Sequence, residues 1–505
     1  MLSRRQLFQW AAVSASAPFL TACSSSETKS DTIRVGVTSR PRMLDPRKAT
    51  DALSSRVNRL IYRQLIDFNQ SFEPVPELAS WQVISPTHYR FTLNEFPPFH
   101  NGEKLTSEDV AATYGSVLKE SFGSPHRGSL KHITAIEVVS ESQVDFKLSR
   151  PDALFVGRLV IGILPKSLVD ADHPFQLSPV GCGPCRFVSM TEQKLVLQRP
   201  DETQLVFMPV KDATVRVLKL RKGELDIIQN DLSPELVHYC DERQDLKALW
   251  HSGTSFGYIG FNFEDPLLSQ LEVRQALAYG IDRQAIIDSV FSGHARLAGG
   301  LLVPEHWCGV PGLHGFDYRP EKARALVAAV KQKHPGLVNS DGLLEFSYKT
   351  SSDPTRIRLA TIYQSQLREV GIHLKVQSYD WGTFYNDIKQ GRFQLYSLAW
   401  VGVKSPDIFQ YVFDSDAIPP KGANRGRYRD AEADRLIREA GETQSLAKQA
   451  ELYRALQVHL QETLAVIPLW YEDQYAVTAE TIRGYKMYAD GRFDGLLNVT
   501  KAPRG

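Results

Sequence analysis

The chain has 505 residues, which is too many for a single hydrophobic core and predicts two or three domains. Its 59 lysines and arginines balance 58 aspartates and glutamates, so the formal net charge of +1 gives no argument for binding nucleic acid. Hydrophobic residues make up 42% of the chain and charged residues 23%, which is ordinary for a globular protein.

The first 23 residues predict an export signal with a lipid attachment site. Arg4-Arg5 precede a short apolar run, and Leu20-Thr21-Ala22-Cys23 resembles a bacterial lipobox, in which the cysteine is lipidated. The paired arginines resemble a twin-arginine signal, although the general secretory route also accepts a basic start. We therefore expect residues 1–23 to be a signal peptide and 24–31 a serine-rich tether. The mature protein is then exported to the cell envelope and anchored to the membrane through Cys23 alone.

Hydrophobic periodicity after the tether predicts strands alternating with helices. The predicted strands include residues 32–37, 89–93, 256–263, 344–349, 373–378 and 393–399. The predicted helices include residues 55–65, 110–118, 212–220, 320–331, 356–370, 381–389, 430–441 and 447–462. Alternation of this kind favours βαβ units and a largely parallel sheet, and hence an α/β fold.

Two helix starts carry recognisable caps. Thr106 stands three residues before Asp109, which is the spacing of a capping box. Asp282 precedes a helix that carries Ile286 and Ile287, where an N-cap residue belongs. Both features are structural and predict no contact with a ligand.

Several motifs, in this order, resemble one family. They are the stretch from His100-Asn101-Gly102-Glu103 to Val110, the turn at residues 178–187, Gly223-Glu224-Leu225-Asp226 and the strand-to-helix junction at residues 256–291. They are similar to the extracellular solute-binding proteins of the dipeptide, oligopeptide and nickel class, which serve ABC importers. The resemblance runs from Thr32 to about Lys501.

The resemblance implies a periplasmic-binding-protein-like α/β fold, in which two lobes close over a ligand and a smaller lobe is inserted in the first. The implied lobe I combines residues 32–61, 176–262 and 475–505; lobe II is 62–175 and lobe III is 263–474. It also implies an ABC permease and its ATPase subunits as partners, because no P-loop for ATP hydrolysis stands in the sequence. We expect a monomer without a cofactor.

The predicted ligand contacts are aromatic. Trp400 ends a predicted strand and Trp381 opens a helix, and a flat aromatic at the carboxyl end of a strand suits a ligand cleft. These two resemble the tryptophans that line side-chain pockets in oligopeptide-binding members. Tyr258 and Asn262, on the junction strand, are further candidates for facing the cleft.

The polar anchors of the peptide binders do not match. Those proteins hold the ligand's α-amino group with an aspartate three residues after the second tryptophan, where this chain has Val403. The oligopeptide binder's arginine, three residues before that tryptophan, is Ser397 here. Asp407 is a possible replacement or simply a turn or cap residue. The ligand is therefore open between a peptide-like solute and a non-peptide solute such as a metal chelate or an opine.

Two sequence motifs resemble catalytic sites, but neither stands in the structural context that catalysis requires. Cys182 and Cys185 form a C-x-x-C motif, but no helix is predicted after the first cysteine, which argues against a thiol oxidoreductase site; a local disulfide and two unpaired cysteines are the open alternatives. Ser255 stands in a G-x-S-x-G pattern that leads into a strand instead of the helix a hydrolase requires. Cys182/Cys185 is the one C-x-x-C pair and has no second pair at ligand spacing, and no histidine pair has a recognised metal-ligand spacing. We therefore expect neither an enzyme nor a metal site.

Overall fold

The computed structural model describes residues 32–502. The predicted signal peptide, the tether and Cys23 lie outside the described residues. Within residues 32–502, no helix combines the length and the apolar character that crossing a membrane requires. The names lobe I, lobe II and lobe III are kept below for the residue ranges predicted above.

Helices and strands alternate along the described chain. The helices are α1 (Ala52–Ile61), α2 (Ser107–Leu118), α3 (Arg127–Leu130), α4 (Lys166–Asp170), α5 (Ala213–Arg221), α6 (Pro234–Asp241), α7 (Leu271–Tyr279), α8 (Arg283–Val290), α9 (Pro320–Lys333), α10 (Pro354–Arg368), α11 (Trp381–Gln390), α12 (Ile408–Phe413), α13 (Ala431–Glu442) and α14 (Leu446–Glu462). Single 3₁₀ turns occupy Glu120–Phe122, Val156–Arg158, Pro335–Leu337 and Phe493–Asn498.

The strands are β1 (Thr32–Val37), β2 (Ile66–Phe68), β3 (Pro74–Pro76), β4 (Ala79–Ser85), β5 (His88–Leu93), β6 (Ile133–Ser140), β7 (Gln143–Leu148), β8 (Arg186–Met190), β9 (Leu195–Gln198), β10 (Gln204–Pro209), β11 (Ile227–Gln229), β12 (Leu246–Phe261), β13 (Ala295–Leu297), β14 (Leu344–Ser351), β15 (Ile372–Tyr379), β16 (Leu395–Trp400), β17 (Val466–Ala479), β18 (Ile482–Arg483) and β19 (Thr500–Lys501).

One 11-stranded sheet joins lobe I to lobe III. Its order is β15-β14-β16-β12-β17-β11-β1-β10-β9-β8, with β13 added on β17. The βαβ prediction is confirmed in two parts of the sheet: β14 lies parallel to β15 and β16, and β1 lies parallel to β10 and β11. The prediction of a largely parallel sheet is wrong at the β10-β9-β8 edge and at the centre, where neighbouring strands are antiparallel. The chain crosses between the lobes on β12 and returns on β17, so these two long strands are antiparallel.

Strand β12 is longer than the sequence predicts. It begins at Leu246, ten residues before the predicted start at Phe256, and its first half pairs with the last half of β17. The register shifts between His251 and Ser255, which divides the strand at the boundary of two cores. Leu246 belongs to a core with β1 and β10, whereas Ile259 and Phe261 belong to the core of lobe III.

The apolar side chains form four cores. One lies entirely within residues 65–182 and packs α2 against the antiparallel sheet β4-β5-β7-β6. A second surrounds β1, β10 and β11, and the remaining two fill residues 256–471 with a contribution from Phe72 of lobe II. The predicted caps are confirmed. Thr106 and Asp109 form the capping box of α2, and the Asp282 carboxylate accepts the Ala285 N–H at the start of α8.

Candidate functional site

A cavity of about 670 Å³ lies where residues of all three lobes meet. Lobe I contributes one face of α1, lobe II the segment 157–162, and lobe III the loop that follows Trp400. This volume is within the range of small-molecule binding pockets, roughly 300–1,000 Å³. The cavity is therefore the candidate ligand site.

Helix α1 presents a basic face to the cavity. Ala52, Ser55, Arg56 and Arg59 line it, and spacings of three and four residues place side chains on the same side of a helix. The opposite face, with Val57 and Leu60, is fully buried in the lobe I core. The amphipathic pattern that docks α1 on its core thus also directs two guanidinium groups into the cavity.

The loop after Trp400 forms the facing wall. Val401, Gly402, Lys404 and Asp407 all line the cavity. The Lys404 carbonyl accepts a hydrogen bond of 3.1 Å from Nε2 of the buried His306, which fixes the middle of this loop to the body of lobe III.

Asp490 neutralises two of the basic side chains on the cavity wall. Its carboxylate lies 2.6 Å from Lys404 Nζ and 2.9 Å from Arg492 Nε. Burial alone raises the pKa of Asp490, but the charges of Lys404 and Arg492 shift it well below its usual range. Because Lys404 belongs to lobe III and Asp490 to lobe I, this pair joins two sides of the cavity.

Arg59 is also fully paired. Its guanidinium contacts Asp67 at 2.8 Å and Asp494 at 2.9 Å. Burial lowers the pKa of Arg59, yet these two carboxylates raise it by more. Arg492 reaches the same Asp67 carboxylate at 2.9 Å, so Arg59 and Arg492 share one network.

Arg158 joins lobe II to lobe III across the cavity. Its Nη1 lies 2.6 Å from the Asp407 carboxylate in lobe III, and its Nε lies 2.9 Å from Asp152 in lobe II. Asp407 immediately precedes α12, but its side chain makes no capping hydrogen bond. The predicted alternative, in which Asp407 is only a cap residue, is therefore not what the structure shows.

Arg56 differs from the other basic residues of the cavity. No carboxylate of the described residues lies within ion-pair distance of its guanidinium, although Asp231 and Asp490 act on it at longer range. Burial lowers the pKa of Arg56 more than these distant carboxylates raise it. The guanidinium occupies space left by the missing side chain of Gly491, and the centroid of the Phe493 ring lies 5.9 Å from its central carbon.

Two of the predicted aromatic residues, Trp400 and Tyr258, contact Arg425 in lobe III. The Arg425 guanidinium lies 4.6 Å from the centroid of Trp400 and donates hydrogen bonds to the hydroxyls of Tyr258 and Tyr385. Trp381 stacks on Tyr385 with ring centroids 5.5 Å apart. Trp381 is 58% exposed and Trp400 is half-buried, so both retain accessible surface, but neither lines the cavity.

A sequence profile of the bacterial extracellular solute-binding proteins, family 5 Middle, matches residues 73–421. The chain belongs to this family.

Individual relatives align with this chain over most of their length. The dipeptide-binding protein of Escherichia coli (strain K12) is 26% identical over 467 residues, which cover 84% of this chain and 86% of that protein. Heme-binding protein A of Haemophilus influenzae is 26% identical over 484 residues, 87% of this chain and 86% of that protein. The crystal structure of NikZ from Campylobacter jejuni in complex with Ni(L-His) superposes with a TM-score of 0.78 at 23% identity. The superposition covers 94% of this chain and 100% of that chain. At that identity it supports the family 5 fold alone.

Within this family 5 fold, two predicted ligand contacts need correction. Tyr258 is 2% exposed, because its ring packs in the lobe III core and its hydroxyl meets Arg425. Asn262 donates to the carbonyls of Gly391 and Phe393 and so ties the end of β12 to the turn before β16. Neither residue lines the cavity, because both side chains are used to hold the β12–β16 pair.

The C-x-x-C and G-x-S-x-G patterns lack the geometry that their chemistry needs. Cys182 and Cys185 are free and lie in separate cores, so of the two alternatives the structure shows unpaired cysteines and not the disulfide. Burial raises the pKa of Cys182 to about 11 and that of Cys185 to about 12, and a strand, β8, follows them. Ser255 lies inside β12. Within residues 32–502, no group of three or more histidine, cysteine or acidic side chains is placed to hold a metal ion.

The sequence did not identify the basic side chains of the cavity. Three of them, Arg56, Arg59 and Arg492, lie far apart in the chain and show no motif. The available signal was the spacing of Arg56 and Arg59 on the polar face of a predicted helix. Only Asp407 and its loop were singled out, and they do line the cavity.

Proposed function

We propose that the protein is the substrate-binding component of an ABC importer, lipid-anchored through Cys23, with lobes I and III closing over the ligand and lobe II inserted in lobe I. It binds a peptide or peptide-like solute in the cavity and delivers it to the permease. The observation that carries this proposal is the cavity itself, which has walls from all three lobes in a chain of the family 5 class.

The size and lining of the cavity support a peptide-sized solute. Its volume of about 670 Å³ exceeds that of a single amino acid, and Trp400 directly precedes the loop that forms one wall. Exposed aromatic rings bind varied side chains with little loss of rotamer freedom. A curated relative over most of the chain is a dipeptide-binding protein, which is consistent with this class of ligand.

A non-peptide solute is the second candidate. It is favoured by Val403, which stands where the peptide binders carry their amine-anchoring aspartate and is partly buried against the lobe III core. A buried ammonium without a carboxylate partner costs several kcal/mol. Heme-binding and nickel-chelate-binding members of the fold are consistent with such variation in the ligand.

A thermal-shift screen distinguishes these candidates. Peptides of two to five residues are compared with metal chelates and opines, and hits are quantified by calorimetry. A ligand present at a hundred times its Kd stabilises the folded protein by about 2.7 kcal/mol. A peptide that raises the melting temperature supports the first candidate; a response to chelates or opines alone would replace it with the second.

Fatty-acid labelling of the expressed protein tests the anchor, since label that persists after Cys23→Ala would contradict it.

A further inference from the structure

The cavity wall carries more basic than acidic side chains. The basic side chains on it are Arg56, Arg59, Arg158, Lys404 and Arg492, and the acidic side chains are Asp407 and Asp490. All but one of the basic groups contact a carboxylate at 2.6–2.9 Å. Arg56 is the exception among the described residues. An unmatched guanidinium in a partly desolvated site binds an anion strongly, because the anion replaces lost hydration.

The position of Arg56 is fixed without a carboxylate. A Cβ atom on Gly491 would lie 2.7 Å from Nη2 of Arg56, so glycine at this position leaves the space that the guanidinium occupies. The Phe493 ring lies 5.9 Å from its central carbon. Packing therefore orients the group toward the cavity and leaves its N–H donors available for a ligand.

No acidic side chain of the wall is correspondingly available for a cation. Asp407 is held by Arg158, and Asp490 is held by both Lys404 and Arg492. An ammonium group entering the cavity would have to share a carboxylate that already balances a basic residue. The wall therefore offers an unshared charged partner to an anion, at Arg56, but offers none to a cation.

We propose that the solute carries a carboxylate or phosphate group that binds Arg56, and that this acidic group, not an ammonium group, is what the cavity recognises. The inference rests on the proposed function and names the chemical class of its ligand. A planar carboxylate accepts two parallel N–H bonds from a guanidinium, which gives the contact direction as well as strength. A peptide meets this requirement with its C-terminal carboxylate, and a non-peptide solute with an acidic substituent.

Binding is measured by calorimetry and thermal shift at constant ionic strength with peptides of two to five residues, each as the free acid, as the C-terminal amide and as the N-acetylated acid. Citrate and inorganic phosphate form a second set of probes. We expect amidation to weaken binding at least tenfold and N-acetylation to have little effect, because loss of a buried charge partner costs more than about 1.4 kcal/mol. These comparisons use the unaltered protein and do not depend on the folding of any variant.

Three variants test whether Arg56 is the residue that binds the acidic group. Arg56→Gln removes the charge and should abolish the preference for the acid over the amide, whereas Arg56→Lys keeps the charge and should retain part of it. Arg42→Gln is the matched control, because Arg42 is an exposed arginine of the same lobe that does not line the cavity. It should bind as the unaltered protein does.

The outcomes separate this inference from the proposed function. Equal binding of acids and amides, or a preference that survives Arg56→Gln, overturns the role of Arg56 while leaving the peptide receptor in place. If no peptide binds but citrate or phosphate raises the melting temperature and Arg56→Gln removes the rise, the peptide assignment fails and the acidic-solute inference stands. If neither set of probes binds, or the rise is the same in Arg56→Gln, the inference is wrong.

Discussion

His306 connects the cavity loop to two other parts of the molecule. Its Nε2 donates to the Lys404 carbonyl, and its Nδ1 accepts the Cys308 N–H at 3.2 Å, so the ring is neutral with the proton on Nε2. The ring stacks on Phe72 of lobe II with centroids 5.4 Å apart. Burial lowers the pKa of His306 to about 4, although the bond to Lys404 opposes this shift.

This depressed pKa predicts a loss of stability on acidification. Between about pH 6.5 and pH 4 the unfolded chain binds a proton at His306 that the folded protein does not, so the free energy of unfolding falls as the pH falls through this window. A shift of this size corresponds to about 3 kcal/mol at the acid end. Urea unfolding at pH 7 and at pH 4.5 measures it.

The control variant is His306→Gln, because glutamine has no side-chain group that titrates. It should be less stable at pH 7, because the Lys404 carbonyl and the Cys308 N–H lose well-placed hydrogen-bond partners. Its free energy of unfolding should, however, fall less between pH 7 and pH 4.5. Parallel pH profiles for the two proteins would show that His306 is not the titrating group.

At the scale of single residues, the sequence predicted roles set by local spacing and missed those set by tertiary contacts. Asp282 and Asp109 act within three or four residues of their own position, so their capping roles could be read from the chain. Arg56 acquires its role from Gly491 and Asp490, more than 400 residues away. The direction of a side chain at the end of a strand depends on the strand beside it, which the sequence does not reveal. The prediction that Asn262 faces the cleft was wrong for this reason.

At the scale of elements, close packing of β12 against β16 predicts which glycines tolerate a side chain. A Cβ atom on Gly260 would lie 2.4 Å from the Tyr396 ring, and that ring is fully enclosed in the core. We expect Gly260→Ala to destabilise the protein by about 1–3 kcal/mol, because an overpacked core must shift. The measurement is the midpoint of urea unfolding.

Gly115 provides a control with the opposite sign. It lies inside α2, and a Cβ atom there would meet no atom within 4 Å. Gly115→Ala should therefore stabilise the protein by roughly 0.5–1 kcal/mol, since alanine loses less conformational entropy in a helix. A stable Gly260→Ala protein would mean that the β12–β16 interface is looser than the structure indicates.

Element positions were predicted well where periodicity was strong. The predicted helix at 430–441 corresponds to α13, whose buried residues recur every three or four positions. The antiparallel centre of the sheet was not predicted, because periodicity indicates that a residue belongs to a strand but carries no information on the direction of its neighbours. The start of β12 was missed because residues 246–255 include half-exposed and exposed positions and a glycine.

At the scale of the whole molecule, the Arg158–Asp407 ion pair predicts how lobes II and III are held together across the cavity. The pair joins lobe II to lobe III at 2.6 Å, and both side chains are largely shielded from water. Asp407→Asn removes the charge and leaves Arg158 paired with Asp152 alone. We expect the cavity to open more often, so that small-angle X-ray scattering gives a larger radius of gyration without solute and a larger decrease when solute binds.

Asp152→Asn is the matched control for this experiment. Arg158 keeps its contact with Asp407, while the lost pair lies within lobe II and does not cross the cavity. Its scattering should equal that of the unaltered protein, since removal of a contact within one lobe leaves the relation between the lobes unchanged. Equal expansion of both variants would indicate loosening of lobe II itself. An unchanged Asp407→Asn profile would mean that other ion pairs between lobes, such as Lys404–Asp490, are sufficient to hold the cavity.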